Sequence, residues 1–257
     1  MSNARAAAEA LQVMDLLSRH TEPLPAVAIG RALGIPRSST YHLLAVLQEY
    51  GYVMHYPEER RYGLGVAAFE LGSAYSRQAP LQRLARPVLT RLVDETHQNA
   101  HFAVLHGNDV LYLLEERAPR RPSLVTDVGV RLPAHLTASG LAMLGALPAA
   151  QVRALYPTRS DFVLRHEAGP TSLTQLRSLL VGVRARGYAV EQGTVTPGLS
   201  SVAAAVLEHG GHPVAAFAVT YEDDVVVDAG AVATLADAVL AAAAALSRRL
   251  GGIRMRS

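Results

Sequence analysis

The sequence predicts an α+β protein built from two units, and three observations support this expectation. Apolar residues recur at helical spacing through most of the first fifty positions. A two-residue period replaces the helical one after position 51 and again after position 100. The chain has 257 residues, of which 50% are hydrophobic and 18% are charged, so it is long enough for a substantial core and too apolar to be disordered.

Helical spacing predicts three helices in the first fifty residues. The first covers residues 4–19, the second covers 26–33, and the third covers 37–50. Gly34 ends the second helix, because glycine tolerates the left-handed conformation at a helix end. Pro36 suits the first turn of the third helix, since its φ is already close to the helical value.

The third helix has one apolar face and one slim polar face. Thr40, Leu43 and Leu44 fall on the face expected to point inward. The opposite face is short or polar and carries hydrogen-bond donors, as a helix that enters a DNA major groove requires. An ordinary helical hairpin is the alternative. The candidate DNA-contacting residues of this region are Arg31, Arg37, Ser38, Ser39, Tyr41 and His42.

A predicted β-hairpin follows the third helix. Two short strand-like runs, 52–56 and 61–64, flank a polar turn that contains proline. Three helices and a hairpin make a winged helix-turn-helix, in which Arg60 and Arg61 would contact phosphate or the minor groove; a solvated turn is the alternative for them. The first 65 residues carry six arginines and six acidic residues, so phosphate contacts by one copy give moderate affinity and a dimer or larger oligomer is expected.

Residues 5–75 resemble the DNA-binding domain of the IclR family of bacterial transcription regulators. The resemblance rests on Leu16-Leu17, on R-S-S-T-Y-H-L-L at 37–44, on Gly51-Tyr52-Val53 and on R-Y-G-L-G at 61–65. It implies binding to a double-stranded DNA operator. One departure is His42, where the family commonly has arginine; a histidine makes at most one hydrogen bond to guanine where arginine makes two, so a different operator preference is expected.

The division predicted from the sequence is a winged helix-turn-helix over 1–65, a linker helix over 66–80 and an effector-binding and oligomerisation domain over 81–257. Pro80 marks the boundary, and Pro87 is expected to kink the helix that follows. The expected elements of the last part are a helix over 81–96, strands over 101–105, 110–115 and 123–127, a helix over 173–186 with Leu176, Leu179 and Val183 inward, strands over 188–192 and 213–220, and a final helix from Asp228 to Leu250.

Two further motifs carry the resemblance into this part of the chain. Residues 132–140 are similar to the family's L-P-x-H-x-T-A-x-G segment, and 197–204 to its P-G-x-x-x-V-A-A segment. The resemblance covers about residues 5–250 and implies a profilin- or GAF-like fold, an antiparallel sheet flanked by helices. Leu141 departs from the family pattern, which usually has lysine or arginine there.

Thr137 is a good N-cap for a helix, and the N–H groups of Ala138, Ser139 and Gly140 would then form an anion site at the positive helix end. The alternative is that Thr137 caps a packed helix and Gly140 allows close approach to the sheet. The resemblance implies that Glu191 borders a ligand pocket, that Ser201 faces it and that Thr220 donates to the ligand. The candidate effector-binding residues are Gly129, Ala138, Ser139, Gly140, Glu191, Ser201 and Thr220.

Other classes of protein find little support in the sequence. His97, His101 and His106 have ligand-like intervals, but the first ends a helix and the second opens a strand, so no metal site is expected. A G-x-S-x-G elbow and a glycine-rich phosphate loop are absent, so neither an enzyme nor a cofactor is expected. The apolar run 231–246 is too short for a membrane span and no signal peptide is evident, so the expected location is cytoplasmic.

The predicted function is therefore a DNA-binding transcriptional regulator, a repressor, whose operator binding responds to a small carboxylate-bearing effector. A homodimer or homotetramer is expected. The alternatives are a sensory module that binds a small molecule or a protein without regulating DNA, and a hydrolase. A thermal-shift screen against small organic acids separates the first two, since only a metabolite sensor is stabilised by one of them.

Overall fold

The computed structural model describes residues 3–78, 80–122, 124, 126–226 and 228–251. The chain divides into two compact units, Met1–Pro80 and Leu81–Ser257. Positions 79, 123, 125 and 252, which fall within or beside predicted elements, lie outside the described residues. The elements of the first unit are α1 (Asn3–Ser18), β1 (Leu24–Pro25), α2 (Ala26–Leu33), α3 (Arg37–Glu49), β2 (Val53–Tyr56), β3 (Arg61–Leu64) and α4 (Val66–Gln78).

The core of the first unit lies between α1, α2, α3 and the hairpin. Val13, Ile29 and Leu44 are fully buried there. Gly34 has φ 65°, so the predicted left-handed C-cap of α2 is confirmed. A Cβ at Gly30 would lie 2.7 Å from Thr40 Oγ1, so α2 and α3 approach closely because this position has no side chain. β3 is the central strand of a three-stranded sheet, between β1 and β2.

The second unit contains a six-stranded antiparallel sheet. The strand order is β6-β5-β4-β9-β8-β7. Helices cover both faces of this sheet. The elements are α5 (Pro80–Thr96), β4 (Asn99–His106), β5 (Asp109–Glu116), β6 (Arg131–Pro133), α6 (Ala138–Ala146), α7 (Ala149–Leu155), α8 (Leu173–Arg186), β7 (Ala189–Gln192), β8 (Leu199–Leu207), β9 (Pro213–Glu222) and α9 (Ala229–Arg249).

Each face of the large sheet has its own hydrophobic core. On one face α6 and α8 pack on small strand residues such as Ala103 and Ala216. On the other face α5 and α9 pack around Phe102 and Phe217, whose ring centroids are 4.9 Å apart. The small residues on the first face leave room for the N-terminal turn of α6 to approach the sheet.

The structure departs from the expected elements in several places. The described residues of the predicted strand over 123–127 do not form a strand, because β6 occupies the edge beside β5; Leu124 and Thr126 are buried instead. The sequence prediction missed the helix α7 and the strands β1 and β6, and it set no bounds for the strand β8. On α8 the expected inward residues Leu176 and Val183 are buried, but Leu179 is 47% exposed and Leu180 is fully buried in its place.

The helix α9 has the bounds that the sequence predicted, with Asp228 and Leu250 as its caps. Its segment Gly230–Arg249 satisfies the length and composition of a membrane span, so the expectation that no apolar run reaches that length is wrong. In the structure one face of this helix packs on the sheet, with Val239, Ala243 and Leu246 buried in the core. Composition alone therefore does not separate this core helix from a membrane span. Asp228 caps the helix by accepting the N–H of Ala231 at 2.7 Å.

Candidate functional site

The N-terminal half of α3 presents a polar, exposed face. Arg37, Ser38, Tyr41 and His42 are exposed on it, and Ser39 is half-buried. The Arg37 guanidinium lies 5.8 Å from the centre of the Tyr41 ring, a cation–π distance. The inward face is buried through Thr40, Leu43 and Leu44, as the sequence predicted. Arg31 is exposed on the preceding helix α2.

The two arginines of the wing differ in their surroundings. Arg60 is exposed in the turn between β2 and β3 with φ 55°, a left-handed conformation for a residue other than glycine. Arg61 is the first residue of β3; its Nη1 donates to Pro23 O at 3.0 Å and lies 3.6 Å from Glu22 Oε2. Arg61 therefore holds the wing against β1. Of the two wing arginines, only Arg60 makes no such contact with the described residues.

A cavity that encloses about 430 Å³ of empty space, part of it open to solvent, lies in the second unit between the start of α6 and the sheet. Its wall is formed by β4, β5, β8 and β9, by the end of β7 and by the segments that carry Leu124, Thr126 and Val195. Of the predicted effector-binding residues, Ala138, Ser139, Glu191, Ser201 and Thr220 all line this one cavity. The other lining residues are His101, Tyr112, Leu124, Thr126, Thr137, Val195, Thr196, Leu199 and Ala218.

The N-terminal turn of α6 meets the cavity with a capped end and an unused hydroxyl. Thr137 Oγ1 accepts the N–H of Gly140 at 3.0 Å, so the predicted N-cap is confirmed. Ser139 is 1% exposed, and its Oγ makes no hydrogen bond of normal geometry among the described residues, although the Tyr112 side chain is close enough to interact with it. A buried hydroxyl without a partner is uncommon, because its desolvation is not compensated. The Ser139 hydroxyl is therefore available to a molecule in the cavity.

Two predicted residues are not part of the cavity wall. The N–H of Gly140 is taken by Thr137, so the expectation that it is free for an anion is wrong. A Cβ at Gly140 would lie 2.1 Å from Ala134 O, so this glycine allows close packing, as the alternative interpretation had it. Gly129 is an exposed turn residue with φ 89°, and its N–H donates to Tyr112 O at 2.8 Å.

Strand register brings three of the predicted residues into one row. Glu191 pairs with Ser201 across β7 and β8, and Ser201 pairs with Thr220 across β8 and β9. The hydroxyl oxygens of Ser201 and Thr220 are 2.9 Å apart. Glu191 Oε1 accepts the N–H groups of Thr194 at 2.6 Å and Val195 at 3.2 Å. Burial raises the pKa of Glu191, against the effect of these hydrogen bonds.

The sequence prediction missed His101, Tyr112 and Thr126. His101 Nε2 lies 2.7 Å from Thr126 Oγ1, and burial is the main cause that lowers the pKa of His101 to about 4. His101 is therefore neutral at pH 7. Burial also raises the pKa of Tyr112, with a further contribution from the charge of Glu191, and an interaction with the Ser139 side chain acts in the opposite direction. The sequence signal that could have found His101 was a polar side chain within a strand that is buried on both faces.

The cavity contains no fixed positive side chain. None of its described lining residues is lysine or arginine, and Glu191 is the one acidic residue among them. The N-terminal end of α6 contributes positive potential, since the N–H dipoles of a helix point outward there, and the Arg117 charge reaches His101 from outside the lining. The residues that the structure describes contain no group of three or more histidine and acidic residues that could hold a metal.

Comparison with known proteins covers both units. Residues 6–55 match the IclR helix-turn-helix domain, and residues 73–248 match the C-terminal domain of the bacterial transcriptional regulator IclR. The chain is 30% identical over 247 residues to the HTH-type transcriptional regulator XynR of Escherichia coli K12, covering 94% of this chain and 95% of that protein. It is 25% identical to the transcriptional repressor IclR of the same organism, over 95% and 89% of the two chains.

Solved structures of this family share the fold. An IclR regulator from Alicyclobacillus acidocaldarius superposes with TM-score 0.83 at 24% identity, over 96% of this chain and 99% of that one. An IclR homologue from Microbacterium hydrocarbonoxydans, solved in complex with 4-hydroxybenzoate, superposes with TM-score 0.78 at 23% identity, over 95% and 98% of the chains. The chain belongs to the IclR family of bacterial transcriptional regulators, with a helix-turn-helix DNA-binding domain and a C-terminal effector-binding domain.

Proposed function

We propose that the cavity beside α6 binds a small carboxylate-bearing effector and that its occupation changes the affinity of the first unit for an operator. The observation that carries this proposal is the buried Ser139 hydroxyl, which makes no hydrogen bond of normal geometry among the described residues and lies at the positive end of α6. A carboxylate would accept this hydroxyl and the outward N–H groups of the helix end.

The charge of Glu191 in the cavity wall indicates the orientation of the bound effector. A carboxylate beside Glu191 would be repelled, so the effector's carboxylate belongs at the α6 end of the cavity. A hydroxyl or other donor on the same molecule could then face Glu191, Ser201 and Thr220. The 4-hydroxybenzoate bound to the Microbacterium homologue is an acid of this class, which supports the class of ligand and leaves its identity open to experiment.

In the proposed DNA complex, α3 lies in the major groove. Arg37, Tyr41 and His42 contact bases or phosphates, with Ser38, Ser39 and Arg31 beside them, and Arg60 contacts the backbone from the wing. We assign Arg61 to the wing itself, because its guanidinium is held by Pro23 and Glu22. A pseudo-palindromic operator then requires a dimer, or a tetramer made of two dimers.

Exposed apolar side chains support self-association of the chain. Phe69 is 76% exposed and Leu71 61% exposed on α4, and Leu11 is 71% exposed on α1. Large apolar residues that are this exposed in a soluble regulator are expected to be covered by another subunit. We further propose that the protein acts in the cytoplasm as a repressor and has no catalytic activity of its own.

The experiment uses the full chain and a fluorescent DNA fragment from upstream of its own gene. Wild type should bind this fragment with an affinity that falls as salt rises, and at least one acid of a panel of small carboxylic acids should change that affinity. The Tyr41→Ala/His42→Ala variant should lose specific binding, while Val46→Ala, an exposed position later on α3, should keep it. Equal DNA binding by wild type and the double variant would show that α3 is not the recognition helix.

A further inference from the structure

A second hollow lies in the effector-binding unit, and Glu191 is among the residues that line it. It encloses about 980 Å³ of empty space, part of which is open to solvent. The turn that carries His135, the helices α6 and α8, and the end of β7 form its wall. The proposed function makes no use of this hollow.

One residue of the wall, His135, carries a buried polar atom that has no partner among the described residues. His135 is 1% exposed, and its Nε2 lies 3.0 Å from Val163 O. A carbonyl oxygen only accepts, so Nε2 must carry the proton and Nδ1 is an acceptor. His135 Nδ1 has no hydrogen-bond partner within the described part of the chain. Burial also lowers the pKa of His135, which keeps the ring neutral.

The other lining residues indicate what the hollow would accept. Leu141, Leu179 and Val190 provide an apolar surface, and Gln192 and Ser178 are polar and uncharged. Glu191 is the one charged side chain among the described lining residues, so an anion is disfavoured. An acceptor atom and a carboxylate beside apolar carbon favour a hydrogen-bond donor attached to an apolar body.

Glu191 also lines the first cavity, so one residue borders both spaces. Thr194 Oγ1 lies 2.8 Å from Glu191 Oε1 and 2.6 Å from Leu136 O. A hydroxyl has one proton and can donate fully to only one of these oxygens at a time. A new donor beside Glu191 would therefore shift this arrangement at the border of the effector cavity.

We propose that this hollow is a second small-molecule site, which takes an uncharged molecule with a hydroxyl donor on an apolar body and influences DNA binding through Glu191. The site itself stands apart from the proposed function; only its influence on DNA binding rests on that function. Phenol is a suitable probe, because it is uncharged at neutral pH and offers one donor on a ring.

The test is a calorimetric titration of the full chain with phenol. Wild type should bind it saturably, and anisole, which has no donor, should bind more weakly. Leu179→Arg should weaken phenol binding by about tenfold or more, because a charged side chain beside the apolar wall is costly to desolvate. The matched control is Val181→Arg, since Val181 is 64% exposed on the same helix and does not line the hollow.

Each of three results would refute the proposal of a second small-molecule site. They are the absence of saturable phenol binding, equal binding of anisole, and equal binding by the Leu179→Arg and wild-type proteins. If Leu179→Arg changes the oligomer size in light scattering and wild type does not bind phenol, the hollow is an interface between subunits and the proposal is wrong.

DNA affinity tests the influence of the site. Saturating phenol should change the DNA affinity of wild type and Val181→Arg and leave that of Leu179→Arg unchanged. Phenol binding with no change in DNA affinity would refute the influence through Glu191. If the full chain binds phenol in the hollow and binds no DNA, the proposed function is refuted, but the proposal of a second small-molecule site still holds.

Discussion

Replacing Ser139 by alanine should separate ligand binding from folding in a way that few buried substitutions do. The Ser139 hydroxyl is buried and makes no hydrogen bond of normal geometry among the described residues, with the Tyr112 side chain beside it. Leaving a buried polar group without a partner costs about 1–3 kcal/mol. Removal of the hydroxyl should therefore leave the free energy of unfolding unchanged or raise it by roughly 1 kcal/mol, with the small void left by one oxygen offsetting the rest.

The effect on effector affinity should have the opposite sign. A hydrogen bond to a charged group contributes about 1.5–3 kcal/mol. Its loss from the complex with a carboxylate corresponds to roughly 10- to 150-fold weaker binding. The measurement is calorimetric titration of wild type and Ser139→Ala with whichever acid of the panel binds, together with thermal unfolding of both proteins.

Thr137, two residues before Ser139, supplies the control. Thr137→Ala removes the cap of α6 and should lower stability by about 1 kcal/mol, which lowers the melting temperature by roughly 2–4 °C for a unit of this size. Ser139→Ala should show no such loss. If Ser139→Ala binds the acid as tightly as wild type, the Ser139 hydroxyl does not contact the carboxylate. If it melts well below wild type, the hydroxyl has a partner inside the protein.

Three further predictions concern packing, DNA and pH. Gly140→Ala should destabilise the effector-binding unit by about 1–3 kcal/mol or more in calorimetry, because its Cβ would lie 2.1 Å from Ala134 O; wild-type stability would contradict the packing role. Arg60→Ala should weaken DNA binding and reduce the salt slope by about one, and an unchanged slope would remove this residue from the interface. Burial lowers the pKa of His101 from 6.5 to about 4, so the unfolded chain binds more protons between these values. The stability contributed by neutral His101 is complete above pH 6.5 and is lost as the pH falls toward 4, by up to about 1.4 kcal/mol per pH unit. Burial of Glu191 gives an opposing slope, so the check compares the pH dependence of wild type with that of His101→Gln; identical curves would contradict the prediction.

Local patterns made the first unit predictable. The phase of apolar residues on α3, the caps at Gly34 and Pro36 and the turn before β3 are all encoded within a few residues of one another. The two arginines of the wing could not be separated, because the carbonyl of Pro23 that holds Arg61 is 38 residues away in the sequence.

The effector cavity was only partly predictable, because strand order forms it. The resemblance to the family placed Glu191, Ser201 and Thr220 together, and strand register gives the physical reason. His101 and Tyr112 enter the same cavity through β4 and β5, and no short-range pattern shows that β4 pairs with β9. Gly140 was placed in the ligand site because sequence does not distinguish a glycine that approaches a ligand from one that approaches Ala134.

The central claim is that one unit binds DNA and the other senses a small acid. The most direct measurement is the DNA affinity of the full chain with and without the acids of the panel, made in parallel on wild type and Ser139→Ala. The account predicts equal DNA affinity of the two proteins without an acid, and a shift caused by at least one acid in wild type that is much reduced in Ser139→Ala. An acid that shifts both proteins equally, or a wild-type chain that binds no DNA at low salt, would contradict it.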